Sequence, residues 1–240
     1  MAKTIVVCSG KGGTGKTMFT ANIGATLAMS GKNVVLVDMD TGLRNLDLYL
    51  GLENNVVYDV NDVLNGVCRI KQALIKDKNF DNLFFMAASP KQDDGEITPL
   101  HLKVLCDKLK EVFDYVIVDS PAGIDDGLAI ALGGADEVIM LLSPEYAAIR
   151  DCETVSLLLK ERNFYNIHYV FNKVNINLMN RGLAPSVDDI PRDIREKIIG
   201  VIQDDENILI STNMGLPVVF MEDTYIIKNF QKIAERIKEL

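Results

Sequence analysis

The stretch SGKGGTGKT, residues 9–17, decides how the rest of the chain is read. Gly10, Gly15, Lys16 and Thr17 satisfy GxxxxGK[ST], the pattern of a phosphate-binding loop. An apolar run, TIVVCS (4–9), precedes it. Behind it, residues 16–30 carry Phe19, Ile23, Leu27 and Ala28 at helical spacing, and Gly31 follows as a stop. Strand, glycine loop, helix is the context the motif needs. Glycines let successive backbone N–H groups turn towards one point, and the helix N-terminus adds partial positive charge there. Gly10, Lys11, Gly12, Gly13, Thr14, Gly15, Lys16, Thr17 and Met18 are therefore the candidate nucleotide-binding residues. Lys16 is expected to reach the β- and γ-phosphates and the Thr17 hydroxyl to ligate Mg²⁺.

Outward from the loop, short apolar runs alternate with amphipathic ones. NVVLVD (33–38), NLFFMAA (82–88), YVIVDS (115–120), EVIMLLS (137–143), IHYVFNK (167–173), IIGVI (198–202) and PVVF (217–220) read as further strands. They show little polar alternation, as strands of a sheet covered on both faces do. Helices are expected over 16–30, 98–112, 146–163 and 223–240, the second opened by Thr98 and Pro99 as cap and first residue. Such alternation, opened by a phosphate-binding loop, predicts an α/β P-loop NTPase fold: a mainly parallel twisted sheet of about seven to eight strands with helices on both faces. No linker or repeat interrupts it, so residues 1–240 are expected to form one domain.

Two of these strands end in acid. VVLVDMD places Asp38 and Asp40, and YVIVDSPAG places Asp119, at the edge where ligands bind in open α/β sheets. Asp119 is expected in the Mg²⁺ shell, partly through water, and Asp40 to position the attacking water. Asp38 has two expected roles, the metal shell or a cap on its own loop. The Pro121–Gly123 segment after Asp119 reads as a switch that senses the γ-phosphate. FNKVN (171–175) resembles the NKxD base-reading motif but ends in Asn175. An amide there cannot accept both guanine N–H bonds, whereas Asn172 can pair with the adenine edge, so ATP is expected over GTP. Lys11 is a second lysine, badly placed to duplicate Lys16. It is either a solvated surface side chain or a catalytic cation, with Lys16 and Asp40, that acts across a dimer interface.

Composition removes several classes. With 25 basic and 34 acidic residues the net charge is −9, which disfavours a general nucleic-acid binder. Cys8, Cys68, Cys106 and Cys152 are too scattered for a disulfide framework or zinc ribbon, and His101 and His168 are too few for a histidine-based metal site. No apolar run reaches transmembrane length.

With GKGGTGKT beside DMDTGLRNLDLYLG and DSPAGI, the chain resembles the MinD/ParA family of deviant Walker-A ATPases over nearly its whole length. GLRNLDL (42–48), VVYDV (56–60) and QALIKDK (72–78) place the likeness in the division-site branch rather than among partition or flagellar-placement ATPases. The resemblance implies a slow, partner-stimulated ATPase that uses ATP/ADP and Mg²⁺ and dimerises on ATP. Lys11 then contacts the partner's nucleotide. It implies a MinC-like inhibitor, with the region from Ile149 facing it, and a MinE-like activator. It also implies a cytoplasmic protein that attaches to the inner face of the membrane. Thr14 stands where valine is usual and Met18 where a second threonine is common, neither costing a ligand.

Family members continue into a basic amphipathic membrane helix, where this sequence stops at Leu240. The segment with Ile226, Ile227, Phe230, Ile233 and Ile237 on one face and Lys228, Lys232, Arg236 and Lys238 elsewhere reads as either a helix packed on the sheet or a membrane helix. Three other functions stay open on this fold. One is a ParA-type partition ATPase, which binds DNA. Another is an iron–sulfur carrier using Cys106 and Cys152, and the third is an interaction module with a degenerate nucleotide site, against which the intact Lys16, Thr17, Asp40 and Asp119 speak.

Overall fold

The computed structural model describes residues 1–41, 44–90, 97–221 and 224–240. Gly42 and Leu43 of GLRNLDL, and Asp223 at the expected start of the last helix, lie outside the described residues. The strands are β1 (Lys3–Cys8), β2 (Val34–Asp38), β3 (Ile75–Lys76), β4 (Leu83–Met86), β5 (Tyr115–Asp119), β6 (Glu137–Leu142), β7 (Ile167–Val174) and β8 (Ile198–Gln203). The longer helices are α1 (Lys16–Met29), α5 (Pro99–Leu109), α7 (Tyr146–Glu161), α10 (Glu206–Asn213) and α11 (Ile226–Glu239). Short turns of helix fill the connections: α2 (Leu46–Leu50), α3 (Val60–Leu64), α4 (Ile70–Ala73), α6 (Asp126–Ala131), α8 (Ile176–Asn180) and α9 (Arg192–Arg195).

One eight-stranded sheet results, in the order β3-β4-β2-β5-β1-β6-β7-β8. Every pairing is parallel except β3 with β4. Residues of one strand alternate between two cores. Ile5 and Val7 join α1 and α11 on one face, while Val6 and Cys8 join α5 and α7 on the other. This is why the strand sequences lack polar alternation. Helix α1 is buried on nearly every side, with Phe19 6.5 Å from Phe230 of α11, ring centre to ring centre. Among the described residues no helix is long and apolar enough to cross a membrane.

The expected strand PVVF (217–220) is instead a 3₁₀ turn, Val218–Phe220. Pro217 has no N–H for a ladder, and the Phe220 and Met221 N–H groups are satisfied locally by Pro217 and Val218. Its apolar residues serve packing, Val218 and Val219 in the core and Phe220 stacked 4.7 Å from Phe80. The eighth strand is β3, two residues long and antiparallel, which apolar length could not reveal. Helix α11 buries Ile226, Phe230, Ile233, Ala234 and Ile237 against β8 and α1, so its apolar face is spent on the sheet. The membrane-helix reading of that segment is corrected accordingly.

Packing is tightest where α5 meets the 3₁₀ turn Leu132–Gly134 that follows α6. A Cβ added at Gly133 would lie 2.0 Å from the Pro99 carbonyl oxygen. Backbone cannot yield as a side chain tip does. Gly133→Ala is expected to cost about 3 kcal/mol and to lower Tm by about 9 °C, while Gly12→Ala, which meets nothing within 4 Å, leaves Tm unchanged. Thermal unfolding of the two variants without nucleotide measures this.

Candidate functional site

The C-terminal edge of the sheet, where the order reverses around β1, carries the site. The loop between β1 and α1 depends on two glycines with positive φ, Gly13 at 78° and Gly15 at 93°. Gly15 also has no room for a side chain, because a Cβ there would lie 2.5 Å from Asn172 Nδ2. Asn172, buried at the end of β7, donates from Nδ2 to the Thr14 carbonyl at 2.7 Å. Its neighbour Lys173 takes φ 58° and donates from Nζ to the Gly13 carbonyl at 2.7 Å. The two side chains of β7 thus fix the loop from beside it. Gly10 is pressed on its other flank, where a Cβ would lie 2.8 Å from the carbonyl carbon and oxygen of Asp151 in α7.

A cleft of about 570 Å³ opens over the loop. Gly12, Gly13, Gly15, Lys16, Thr17, Met18, Asp40 and Asn172 line it, together with Asn45 and Tyr49 from α2. Its far wall is the turn from β8 into α10, with Gln203, Asp204, Asp205, Ile208 and Leu209. That wall was not legible as functional in the sequence, and Lys173, though inside FNKVN, was given no role of its own. The only signal was that β8 ends at the same edge as β1. Asn175 is elsewhere: its Oδ1 caps α8 by accepting from the Leu178 N–H at 3.1 Å. Not every expected residue reaches the cleft. Gly10 is packed on α7, Thr14 is buried, and Lys11 points outward to Glu145 Oε2 at 2.6 Å, still 43% exposed.

Beneath Thr17 lie two buried carboxylates in register, Asp38 at the end of β2 and Asp119 at the end of β5. Asp38 is turned to its own loop, accepting from the Asp40 N–H at 2.9 Å and the Leu46 N–H at 3.3 Å. Of its two expected roles, this geometry supplies the cap. Burial, and then the Asp119 charge, raise its pKa well above the ordinary carboxylate value. Asp119 accepts from the Thr20 hydroxyl at 3.4 Å, with the Thr17 hydroxyl beside it. Its Oδ2 is buried and has no hydrogen-bond partner among the described residues. Burial raises its pKa to about 6, against the opposing pull of Thr17 and the Lys16 ammonium. Asp40, half-buried, is raised too, by burial, with Lys16 again opposing. An orphaned carboxylate oxygen beside a threonine hydroxyl is the hard-oxygen chemistry that Mg²⁺ requires. Thr17 and Asp119 therefore fit the ion.

The cysteines offer no comparable site. Cys106 and Cys152 are buried within α5 and α7, and burial pushes the Cys106 thiol up to about 12 and Cys152 higher still. Thiolates for an iron–sulfur cluster are disfavoured there.

An edge organised in this way belongs to a P-loop nucleoside triphosphatase with an extra lysine in its loop. The family model of the CobQ/CobB/MinD/ParA nucleotide-binding domain matches residues 5–218. The septum site-determining protein MinD of Bacillus subtilis is 41% identical over 239 residues, 99% of this chain and 89% of that protein. The MinC:MinD cell division protein complex of Aquifex aeolicus superposes with TM-score 0.92 at 38% identity, covering all of this chain and 97% of that one. MinD of Pyrococcus horikoshii, complexed with Mg-ADP, gives TM-score 0.82 at 29% identity over 100% and 97% of the two chains. The chain belongs to the CobQ/CobB/MinD/ParA family of P-loop ATPases, and within it is MinD-like. A plasmid partition protein of Borrelia burgdorferi and a ParA family ATPase of Chlorobium tepidum match at 19% and 23% identity, a likeness of fold alone, and that alternative is not favoured.

Proposed function

We propose that this MinD-like ATPase of division-site placement works as an ATP-driven dimerisation switch, its hydrolysis slow until a partner accelerates it. The observation that carries the reading is the contrast between two lysines of one loop. Lys16 is buried in the cleft, whereas Lys11 stands outside it on the surface, held by Glu145. A cation excluded from its own cleft is free to serve the nucleotide of a second copy, as an arginine finger does.

Within one chain, residues 1–240 then act as a single catalytic unit. The loop N–H groups and Lys16 hold the phosphates, and Asn172 and Lys173 keep the loop in shape for them. Asp40, at the cleft wall, orients the attacking water. Thr17 and Asp119 would hold Mg²⁺, which when bound offsets charge on the phosphate oxygens. The similarity to the Aquifex MinD that is in complex with MinC supports a MinC-like partner for this chain, and a MinE-like activator completes the cycle. In this reading the protein is cytoplasmic and touches the membrane peripherally, without the buried face of α11.

Asp40→Ala tests the switch. It leaves the loop intact and removes the water-orienting carboxylate, so Mg-ATP is expected to hold it as a stable dimer. Light scattering should show twice the 26.6 kDa of one chain with Mg-ATP and a single mass without nucleotide. Equal mass in both states would refute the switch.

A further inference from the structure

A groove of about 600 Å³ runs between α3–α4 and α5, and it shares no lining residue with the nucleotide cleft. One wall is apolar through Val63, Leu64 and Ile70, the other through Val104 and Leu105. The outer part is unpartnered. Val104 is 55% exposed, and Leu100, one helical turn before it, is 65% exposed. The rim is basic: Arg69, Lys71 and Lys108 line it beside His101, and among the described residues no acidic one does. Lys108 pairs with Glu111 at 2.7 Å, while Arg69 and Lys71 have no ion-pair partner among the described residues. Asp59 and Asp62 lie behind Cys68, and each carboxylate is engaged with the other's N–H in the cap of α3.

An apolar floor within a basic rim is unusual on a chain whose net charge is −9. The rim is therefore local, and it repels cationic segments while favouring anionic ones. The apolar strip lies between two helical walls, so a helix laid along it touches both. We propose that this groove is a docking site for an amphipathic helix of a partner protein, its apolar stripe seated on Leu64, Ile70 and Val104 and its acidic flanks on Arg69 and Lys71. Helix α5, one wall of the groove, also meets the turn after α6 at Gly133 without spare room.

The test uses the full chain and a fluorescein-labelled helical peptide of about 15 residues with leucines at i, i+4, i+7 and i+11 and glutamates on the flanks. A twin peptide carries lysine in place of glutamate. Anisotropy should show saturable binding of the acidic peptide and at least about tenfold weaker binding of the basic one. Val104→Glu and Lys71→Glu, both changes at exposed or rim positions, should each weaken the acidic peptide by about tenfold while leaving Tm and ATP hydrolysis unchanged. Cys68, which lines the groove and is the one cysteine not buried, gives a second readout: bound peptide should slow its reaction with a thiol reagent. Equal binding of the two peptides, no saturation up to about 1 mM, or indifference to Val104→Glu overturns the proposal. Pelleting with anionic phosphatidylglycerol vesicles that Val104→Glu abolishes would overturn it too, in favour of a lipid surface.

Discussion

Lys16→Ala is expected to weaken ATP binding by at least about 100-fold and to abolish ATP-dependent dimerisation. Lys16 is the cation buried inside the cleft, and its ammonium opposes the burial that raises both Asp40 and Asp119. Its removal acts twice. The phosphates lose a charge-assisted donor, and the carboxylates of the site lose the cation nearest to them. Lys11 cannot substitute, because it is on the outside of the loop with Glu145. Isothermal titration gives the affinity and light scattering the mass. A variant that still doubled its mass with ATP would show that Lys16 does not hold the phosphates.

Asp119→Asn is expected to make the nucleotide-free protein more stable at neutral pH while removing its response to Mg²⁺. The folded chain raises the Asp119 pKa from 3.8 to about 6. The folded state therefore holds the proton more tightly than the unfolded state does. Its stabilising contribution is complete below about pH 4 and is lost as pH rises through 6. Above that, a buried anion with one orphaned oxygen costs on the order of 2–3 kcal/mol. Asparagine is neutral throughout. The variant should melt about 6 °C higher at pH 7.5, and the difference should disappear near pH 4. Mg²⁺-ATP should stabilise the wild type and fail to stabilise the variant. A lower Tm for the variant at pH 7.5 would mean that the carboxylate is not under strain, and a wild-type response to Mg²⁺-ATP would mean that the ion site is elsewhere.

These two effects were partly legible in the sequence, for a physical reason. A phosphate needs several N–H groups converging from adjacent residues, so SGKGGTGKT reads directly. Asp40 and Asp119 read almost as well, since an apolar strand announces its own end. Contacts that cross the sheet do not read. Nothing near Lys11 names Glu145, 134 residues away, and nothing near Gly13 names Lys173. By position Asp38 read equally as metal ligand or loop cap, and which way its carboxylate turns is set by the N–H groups of Asp40 and Leu46. PVVF failed for the opposite reason: four apolar residues state that they are buried, and only Pro217 hints that they do so in a turn.

The contact of Gly10 with the backbone of Asp151 makes α7 the rear support of the phosphate loop. The two meet main chain to main chain, with no side chain between them to absorb a shift. A protein gripping the outer surface of α7 therefore handles the same rigid piece that a nucleotide handles from within. If nucleotide changes the grip by some factor, the grip must change nucleotide affinity by that same factor. A reader of the nucleotide state on α7 is for this reason always also a writer of it.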